Sequence, residues 1–401
     1  MTFADEVAKQ APDRDKLGRI AELLANSGID LAEIGRIDKV RIGEYQMLTK
    51  GEDGEATIHD LRADSLVLTP AWADGPAWPV VQPAKPCVVR PVAQKTAQKS
   101  ANRTTSSDSW KTAVILPDTQ IGYRRYEDGQ LDSFHDEAAM NVALKIVRHL
   151  RPDVVVLLGD YLDLPSQSKY VQLPEFAFTV QAAVDRGHRF LAEIRANAPE
   201  AEIHLLEGNH DKRLHDYIAR NAMEALRLRR ANAPEEWPVL SVPTLLRLDE
   251  LHVRYVEGYP AGQVWLNDNV VCVHGAKVRS AGSTAAAIID DERVGLTLFG
   301  HVHRHEMQSR TRRVRGGHKV AVAATPGCLC RIDGAVPSTK SATDLMGRPV
   351  LSAENWAQGV GIVTFEPGNG RYAYEPVAIH DGEAMFRGRH FVADVAAEAA
   401  A

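Results

Sequence analysis

The chain has 401 residues, 44% of them hydrophobic, and a formal net charge of -6, which suits one large globular domain plus a smaller one and excludes a generally cationic nucleic-acid coat. No apolar stretch approaches the ~20 residues that span a bilayer, and the start, with Asp5 and Glu6, lacks a basic-then-apolar export signal, so a cytoplasmic protein without membrane contact is expected. Cys87, Cys272, Cys328 and Cys330 read as reduced thiols, the last two as packing residues spaced too closely for a zinc knuckle.

Taken in chain order, Leu17, Ile20, Leu23 and Leu24 fall at helical spacing, Gly28 is a natural stop and Asp30 a cap for a second short helix. Val40, Ile42 and Tyr45 then lead into a hairpin turn at Gly51-Glu52-Asp53-Gly54, with strands from Ala56 to Leu61 and Ser65 to Leu68. Residues 1–84 therefore read as a small α+β module. Its acidic residues outnumber its basic ones, an awkward balance for a DNA reader, so a protein partner fits this module better; self-association is left open. Residues 85–110 carry Lys85, Arg90, Lys95, Lys99 and Arg103 among Ser, Thr, Ala and Gln and read as a flexible basic linker.

From Lys111 the pattern becomes α/β: apolar strands alternate with helical stretches at about Asp136 to Leu150, Phe176 to Ala196 and Leu214 to Arg229. Runs near Val320 to Ala324, Gly361 to Phe365 and Arg371 to Ala378 suggest a further, mainly antiparallel sheet. The domain spans 111–391, and the Ala/Glu-rich tail, 392–401, is expected to fray.

Five short motifs each end or follow an apolar run: Asp118-Thr119-Gln120, Gly159-Asp160-Tyr161-Leu162-Asp163, Gly208-Asn209-His210-Asp211, His274-Gly275 and Gly300-His301-Val302-His303. Strand ends are where α/β folds build their sites. Hydrolysis of a phosphate ester needs an activated water and neutralised phosphoryl oxygens, which two divalent ions about 3.5–4 Å apart supply. The motifs offer a matching ligand mixture: carboxylates at Asp118 and Asp160, imidazoles at His274, His301 and His303, and an amide oxygen at Asn209. Two carboxylates against two dications leave a net positive site, which implies an anionic substrate. His301 and His303, on one side of an extended segment, would each address an ion, and Gly159, Gly208 and Gly300 would let the loops turn where they crowd together.

These residues resemble the calcineurin-like metallophosphoesterase superfamily, whose pattern is D-x-H, G-D-x-x-D, G-N-H-D/E, H and G-H-x-H, over roughly Lys111 to Arg331. The resemblance implies a sandwich of two mixed sheets flanked by helices. It also implies a first metal on Asp118, Gln120, Asp160 and His303, and a second on Asp160, Asn209, His274 and His301, with Asp160 bridging. His210 would contact the phosphate and protonate the leaving oxygen, tuned by Asp163 or Asp211. Gln120 stands where the family has histidine; its harder, weaker oxygen donor shifts preference toward Mn or Mg, with Fe or Zn as alternatives. Leu164 replaces the arginine that follows G-D-x-x-D in protein Ser/Thr phosphatases, which argues against that branch. In overall layout the chain is similar to bacteriophage phosphoesterases grouped with bacterial repair exonucleases, and a phage-encoded member would work in the host cytoplasm.

Arg304, Arg310, Arg312 and Arg313, just beyond the paired histidines, form a candidate phosphate-tracking hairpin. Arg227, Arg229 and Arg230 are explained as the basic end of a helix. His204 reads as a core histidine, His135 as a helix-cap neighbour and His188 as part of a solvated helix face. The leading expectation is a dinuclear-metal phosphodiesterase, a nuclease with Mn as its preferred ion. The alternatives are a phosphomonoesterase acting on a small metabolite or phosphoprotein, and a scaffold without turnover.

Overall fold

The structure is a computed structural model that describes residues 34–50, 56–70, 110–170, 173–232, 236–280, 282–289, 295–337 and 354–394. The helices expected before residue 34, the linker up to residue 109 and the tail from 395 lie outside the described residues. Backbone packing divides the chain into two units, Met1–Pro83 and Ala84–Ala401.

In the first unit, β1 (Ile34–Lys50) and β2 (Ala56–Pro70) form an antiparallel ladder whose innermost pair is Lys50 with Ala56. The sequence suggests two strands after the turn. The structure instead carries one strand through Arg62-Ala63-Asp64, because the facing Glu44, Gly43 and Ile42 continue the ladder without a break.

The second unit is a two-sheet sandwich. Its first sheet comprises β3 (Lys111–Leu116), β6 (Val154–Leu157), β7 (Glu202–Leu206) and β8 (Val253–Val256) in parallel, with β14 (Gln358–Phe365) antiparallel to β3 and β15 (Tyr372–Ile379) at the edge. The second has the order β12 (His305–Val314), β13 (Gly317–Pro326), β11 (Gly295–Phe299), β10 (Val270–Val273) and β9 (Gln263–Asn267). The late strands thus extend the two sheets and do not make a third: β13 lies parallel to β11, while β14 and β15 complete the first sheet. Short ribbons, β4 (Tyr123–Arg125) with β5 (Leu131–Ser133) and β16 (Glu383–Phe386) with β17 (Arg389–Val392), lie outside them.

Strand β3 shows why the central strands read as unbroken apolar runs. Ala113 and Ile115 face the other sheet, whereas Val114 and Leu116 face the helices. Both faces are dry, so both must be apolar, and each fully buried aliphatic side chain contributes roughly 1.5–3 kcal/mol. The helical layer holds α1 (Glu137–Leu150), α2 (Val180–Asn197), α3 (Lys212–Asn221) and the short α4 (Val242–Leu245). Helix α5 (Thr284–Ile289) covers the outer face of the second sheet through Ala285 and Ile289. Helix α1 begins where Asp136 accepts a hydrogen bond from the Ala139 N–H and ends at left-handed Arg151, with Glu137 in its first turn and Arg148 and His149 in its last.

Helix α3 stops at Asn221, eight residues before the expected end, and one 3-10 turn, Met223–Ala225, follows. Arg227, Arg229 and Arg230 therefore lie beyond it, and the helix dipole does not account for them; Arg227 itself is left-handed. His188 is half-buried on its helix face, and its Nδ1 donates to Leu246 O at 2.8 Å. His204 is buried in β7 as expected. At the C-terminus the packed chain passes the expected fraying point, since Val392 closes β17 and Lys145 reaches both the Val392 carbonyl and Asp394.

Candidate metal centre

All five motif loops meet at one end of the sandwich. Asp118 leaves β3, Asp160 follows β6, Asn209 and His210 follow β7, His274 follows β10 and His301 follows β11. Besides a group of His303 with Cys328 and Cys330, the described residues form two clusters with mutual ligand-atom distances within 4.8 Å: Asp160, His274 and His301, and Asp118, Asp160 and His303. Asp160 is shared by both. It is buried, as are Asp118, Gln120, His274 and His303.

The loops are held together by tight backbone geometry. The His301 N–H donates to Asp118 Oδ1 at 2.8 Å, and the His210 N–H to Asp160 Oδ1 at 2.8 Å. Gln120, Asp160, His301 and His303 all have left-handed φ, at 48°, 47°, 71° and 55°. That conformation is uncommon for residues with side chains and concentrates at functional sites. It also corrects the expectation of an extended His301-Val302-His303 segment. The segment is bent because Val302 drops into the core beside α5 while the rings turn to different clusters. Of the motif glycines, Gly159 and Gly275 have positive φ, at 96° and 93°. Gly208 is needed for space: a Cβ there would stand 2.1 Å from the Asp160 nitrogen.

The converging atoms are electron-rich. His274 Nδ1 donates to Leu158 O at 2.9 Å, so in the neutral ring Nε2 carries a lone pair. That nitrogen lies 3.1 Å from Asn209 Oδ1 and 3.3 Å from Asp160 Oδ1, two acceptors. Asp118 Oδ2, Gln120 Oε1 and His301 Nδ1 are buried without a protein partner. Facing acceptors and orphaned oxygens of this kind call for a cation between them, so the residues fit a pair of metal ions.

The buried carboxylates and imidazoles also shift one another's protonation. Burial works against a charged His274, but Asp160 outweighs it and pushes its pKa up to about 9. Burial and then neighbouring His274 bring His301 down to about 4. Burial works against ionised Asp160 as well, yet His274 and His210 hold its carboxyl well below the usual range. His303 Nε2 sits 3.2 Å from Asp118 Oδ1, which raises its pKa against the effect of burial, and Trp356 packs edge-on against the ring at 4.2 Å.

Gln120 reaches the first cluster through nitrogen: Nε2 donates to Asp160 Oδ2 at 3.2 Å and lies 3.4 Å from His303 Nε2. Turning the amide over would direct Oε1 into the cluster.

Of the two carboxylates considered for His210, Asp163 is the one that holds the ring: His210 Nδ1 donates to Asp163 Oδ1 at 3.0 Å. Asp211 instead accepts from the backbone N–H groups of Tyr161, Leu162 and Gly208, and burial followed by the Asp160 charge raises its pKa to about 6. Its place is to brace the two motif loops against each other.

Sequence reading missed the cations beside the clusters. Asn209 and His301 line a groove of about 630 Å³ walled by Lys169, Lys212, Arg213 and Arg220, with Asp216 its one acid and Tyr170 and Tyr259 alongside. Arg213 lies three residues after His210, one helical turn, and that spacing was the available signal. The hairpin arginines are partly committed elsewhere: Arg304 pairs with Glu306 at 3.0 Å and donates to Arg279 O, and Arg312 donates to Ile289 O. Arg310 and Arg313 are exposed on β12.

Residues 113–305 match the family model for calcineurin-like phosphoesterases. The chain is 26% identical to the Gene 54 protein of Mycobacterium phage D29 over 262 residues, covering 64% of this chain and 89% of that protein. It is 24% identical to the Gene 54 protein of Mycobacterium phage L5 over 261 residues with the same coverage. Among solved structures, Yfce, a phosphoesterase from E. coli, aligns with 66% of this chain and 98% of its own, at a TM-score of 0.26 and 11% identity. No helix among the described residues is long and apolar enough to cross a membrane.

Proposed function

We propose, from the premise that this chain carries a calcineurin-like phosphoesterase domain over residues 113–305, that it is a dinuclear-metal phosphodiesterase acting on nucleic acid. Metal dependence of a phosphoester hydrolase comes with the domain and with the two ligand clusters. The observation that carries the finer reading is the groove: four cationic side chains against one acid border Asn209 and His301. A monoester on a small metabolite needs no such wall, whereas a chain of phosphates on either side of the cleaved bond does.

Asp118, Gln120, Asp160 and His303 would hold one ion, and Asp160, Asn209, His274 and His301 the other. Two such ions supply positive charge for the phosphoryl oxygens and a lowered pKa for water. The protein's own contribution is orientation. Asp163 fixes His210 through Nδ1 and turns Nε2 toward the clusters, 3.8 Å from Asp160 Oδ2, where a leaving oxygen can take a proton from it. With Leu164 buried among the helices, the chain lacks the cation that a protein phosphatase carries there. Mn suits the mixed oxygen and imidazole donors, with an amide at Gln120. The phage relatives favour work in a host cytoplasm, and a protein partner remains our reading for the N-terminal unit.

The test compares bis-p-nitrophenyl phosphate, p-nitrophenyl phosphate and single- and double-stranded DNA and RNA across Mn²⁺, Mg²⁺ and Zn²⁺. The proposal expects diester and nucleic-acid cleavage, fastest in Mn²⁺. A strong preference for the monoester overturns it.

A further inference from the structure

Asp163, His210 and Arg213 form a closed triangle at the edge of the metal clusters. Arg213 NH1 donates to Asp163 Oδ1 at 2.5 Å, and NH2 lies 3.1 Å from His210 Nε2. Because a guanidinium only donates, Nε2 is the acceptor, and the ring's proton sits on Nδ1 against Asp163. The nitrogen that must meet substrate is therefore occupied by a side chain of the protein. That side chain is 16% exposed and lines the groove beside Asn209 and His301.

We propose that Arg213 is the phosphate clamp of this enzyme: its NH2 group leaves His210 Nε2 for a non-bridging oxygen of the substrate phosphoryl group, keeping NH1 on Asp163. The inference rests on the phosphoesterase reading above. Three features carry it. The guanidinium is a planar fork suited to an anionic oxygen. Asp163 anchors one of its arms, so only the other has to move. At the position after Gly159-Asp160-Tyr161-Leu162-Asp163 the chain has Leu164, 2% exposed, so that position itself offers the phosphate no cation. Arg213 then does two things: without substrate it covers and orients the histidine, and with substrate it binds the phosphoryl group and uncovers Nε2, which takes a proton from solvent while Nδ1–H stays on Asp163 and can then pass that proton to the leaving oxygen.

The experiment measures KM and kcat on bis-p-nitrophenyl phosphate and, separately, binding of inorganic phosphate to the Mn²⁺-loaded protein by calorimetry, for wild type, Arg213→Ala and Arg213→Lys, with thermal melting to check the fold. In Arg213→Ala the expected result is a loss of phosphate affinity and a rise in KM of roughly tenfold or more, the scale of one charge-assisted hydrogen bond, with partial recovery in Arg213→Lys or on adding guanidinium to the alanine variant. If kcat falls while phosphate affinity and KM stay at wild-type values, Arg213 merely props the histidine and the proposal is overturned. Should wild type prove inactive on diesters, the function reading fails on its own, and the phosphate titration still decides the clamp: unchanged affinity in Arg213→Ala rejects it.

Discussion

The backbone N–H of His301 donates to Asp118 Oδ1 at 2.8 Å across 183 residues of chain. The first and last motifs are therefore bonded to each other as well as converging, through Asp118 and His303, on one cluster. One carboxylate oxygen is fixed by the loop after β11, while Oδ2 is buried and unpartnered. A ligand prepared in this way loses little freedom when a cation arrives, which is the physical content of preorganisation.

His210→Ala and Asn209→Ala should each abolish hydrolysis while leaving the fold intact. A general acid or base is worth roughly 10²–10⁴-fold, so the His210 variant should fall into that range in kcat, with its melting temperature close to wild type. Near-normal turnover in the purified variant would remove His210 from the mechanism.

Gln120→His should tighten metal binding at the first cluster. The native amide presents Nε2 to Asp160 and His303, and imidazole is the better donor for late divalent ions. Calorimetric titration with Mn²⁺ and Zn²⁺ checks this; unchanged stoichiometry and affinity would count against position 120 as a ligand position.

Gly208→Ala should impair catalysis without touching a ligand side chain. A Cβ at that position would stand 2.1 Å from the Asp160 nitrogen and 2.2 Å from its Oδ1, so the carboxylate shared by both clusters has to shift. A displacement of about 1 Å costs on the order of 10²-fold in rate. Turnover within twofold of wild type would show that the loops can absorb the methyl group.

How much of this could be read before folding differs by element. The motif residues stood out because each follows an apolar strand, and their convergence needs only that the strands share one end. Arg213 escaped notice because its meaning depends on α3 starting directly after Asp211, a boundary that the apolar periodicity placed two residues later. The bend at His301-Val302-His303 was also hidden: a buried Val between two histidines reads as alternation, and only the pocket beside α5 shows that the backbone must turn. For the arginines after His303 the sequence shows charge but not commitments, and Glu306 together with the Arg279 and Ile289 carbonyls takes up two of them.

His204 offers a pH test away from the metals. Its burial in β7 depresses its pKa, with Glu202 partly opposing through a 3.0 Å contact. The unfolded chain protonates first, near the ordinary pKa of ~6.5. Stability from the neutral ring is thus complete above that pH and is lost as the pH falls through it toward the folded value. His204→Gln should flatten the decline in melting temperature between neutral and mildly acidic solution. A decline as steep as in wild type would assign it to other groups.

The position of β14 between β3 and β15 has a consequence for biosynthesis. Strand β3, which delivers Asp118, pairs on one side with β6 and on the other with residues Gly361 to Phe365. On the ribosome, every metal ligand has been translated while that second edge is still bare, and a bare edge invites pairing with other chains. The sheet that carries Asp118 is therefore covered on that edge only when β14 emerges, and a message truncated before it would yield aggregation-prone product in place of a weak enzyme.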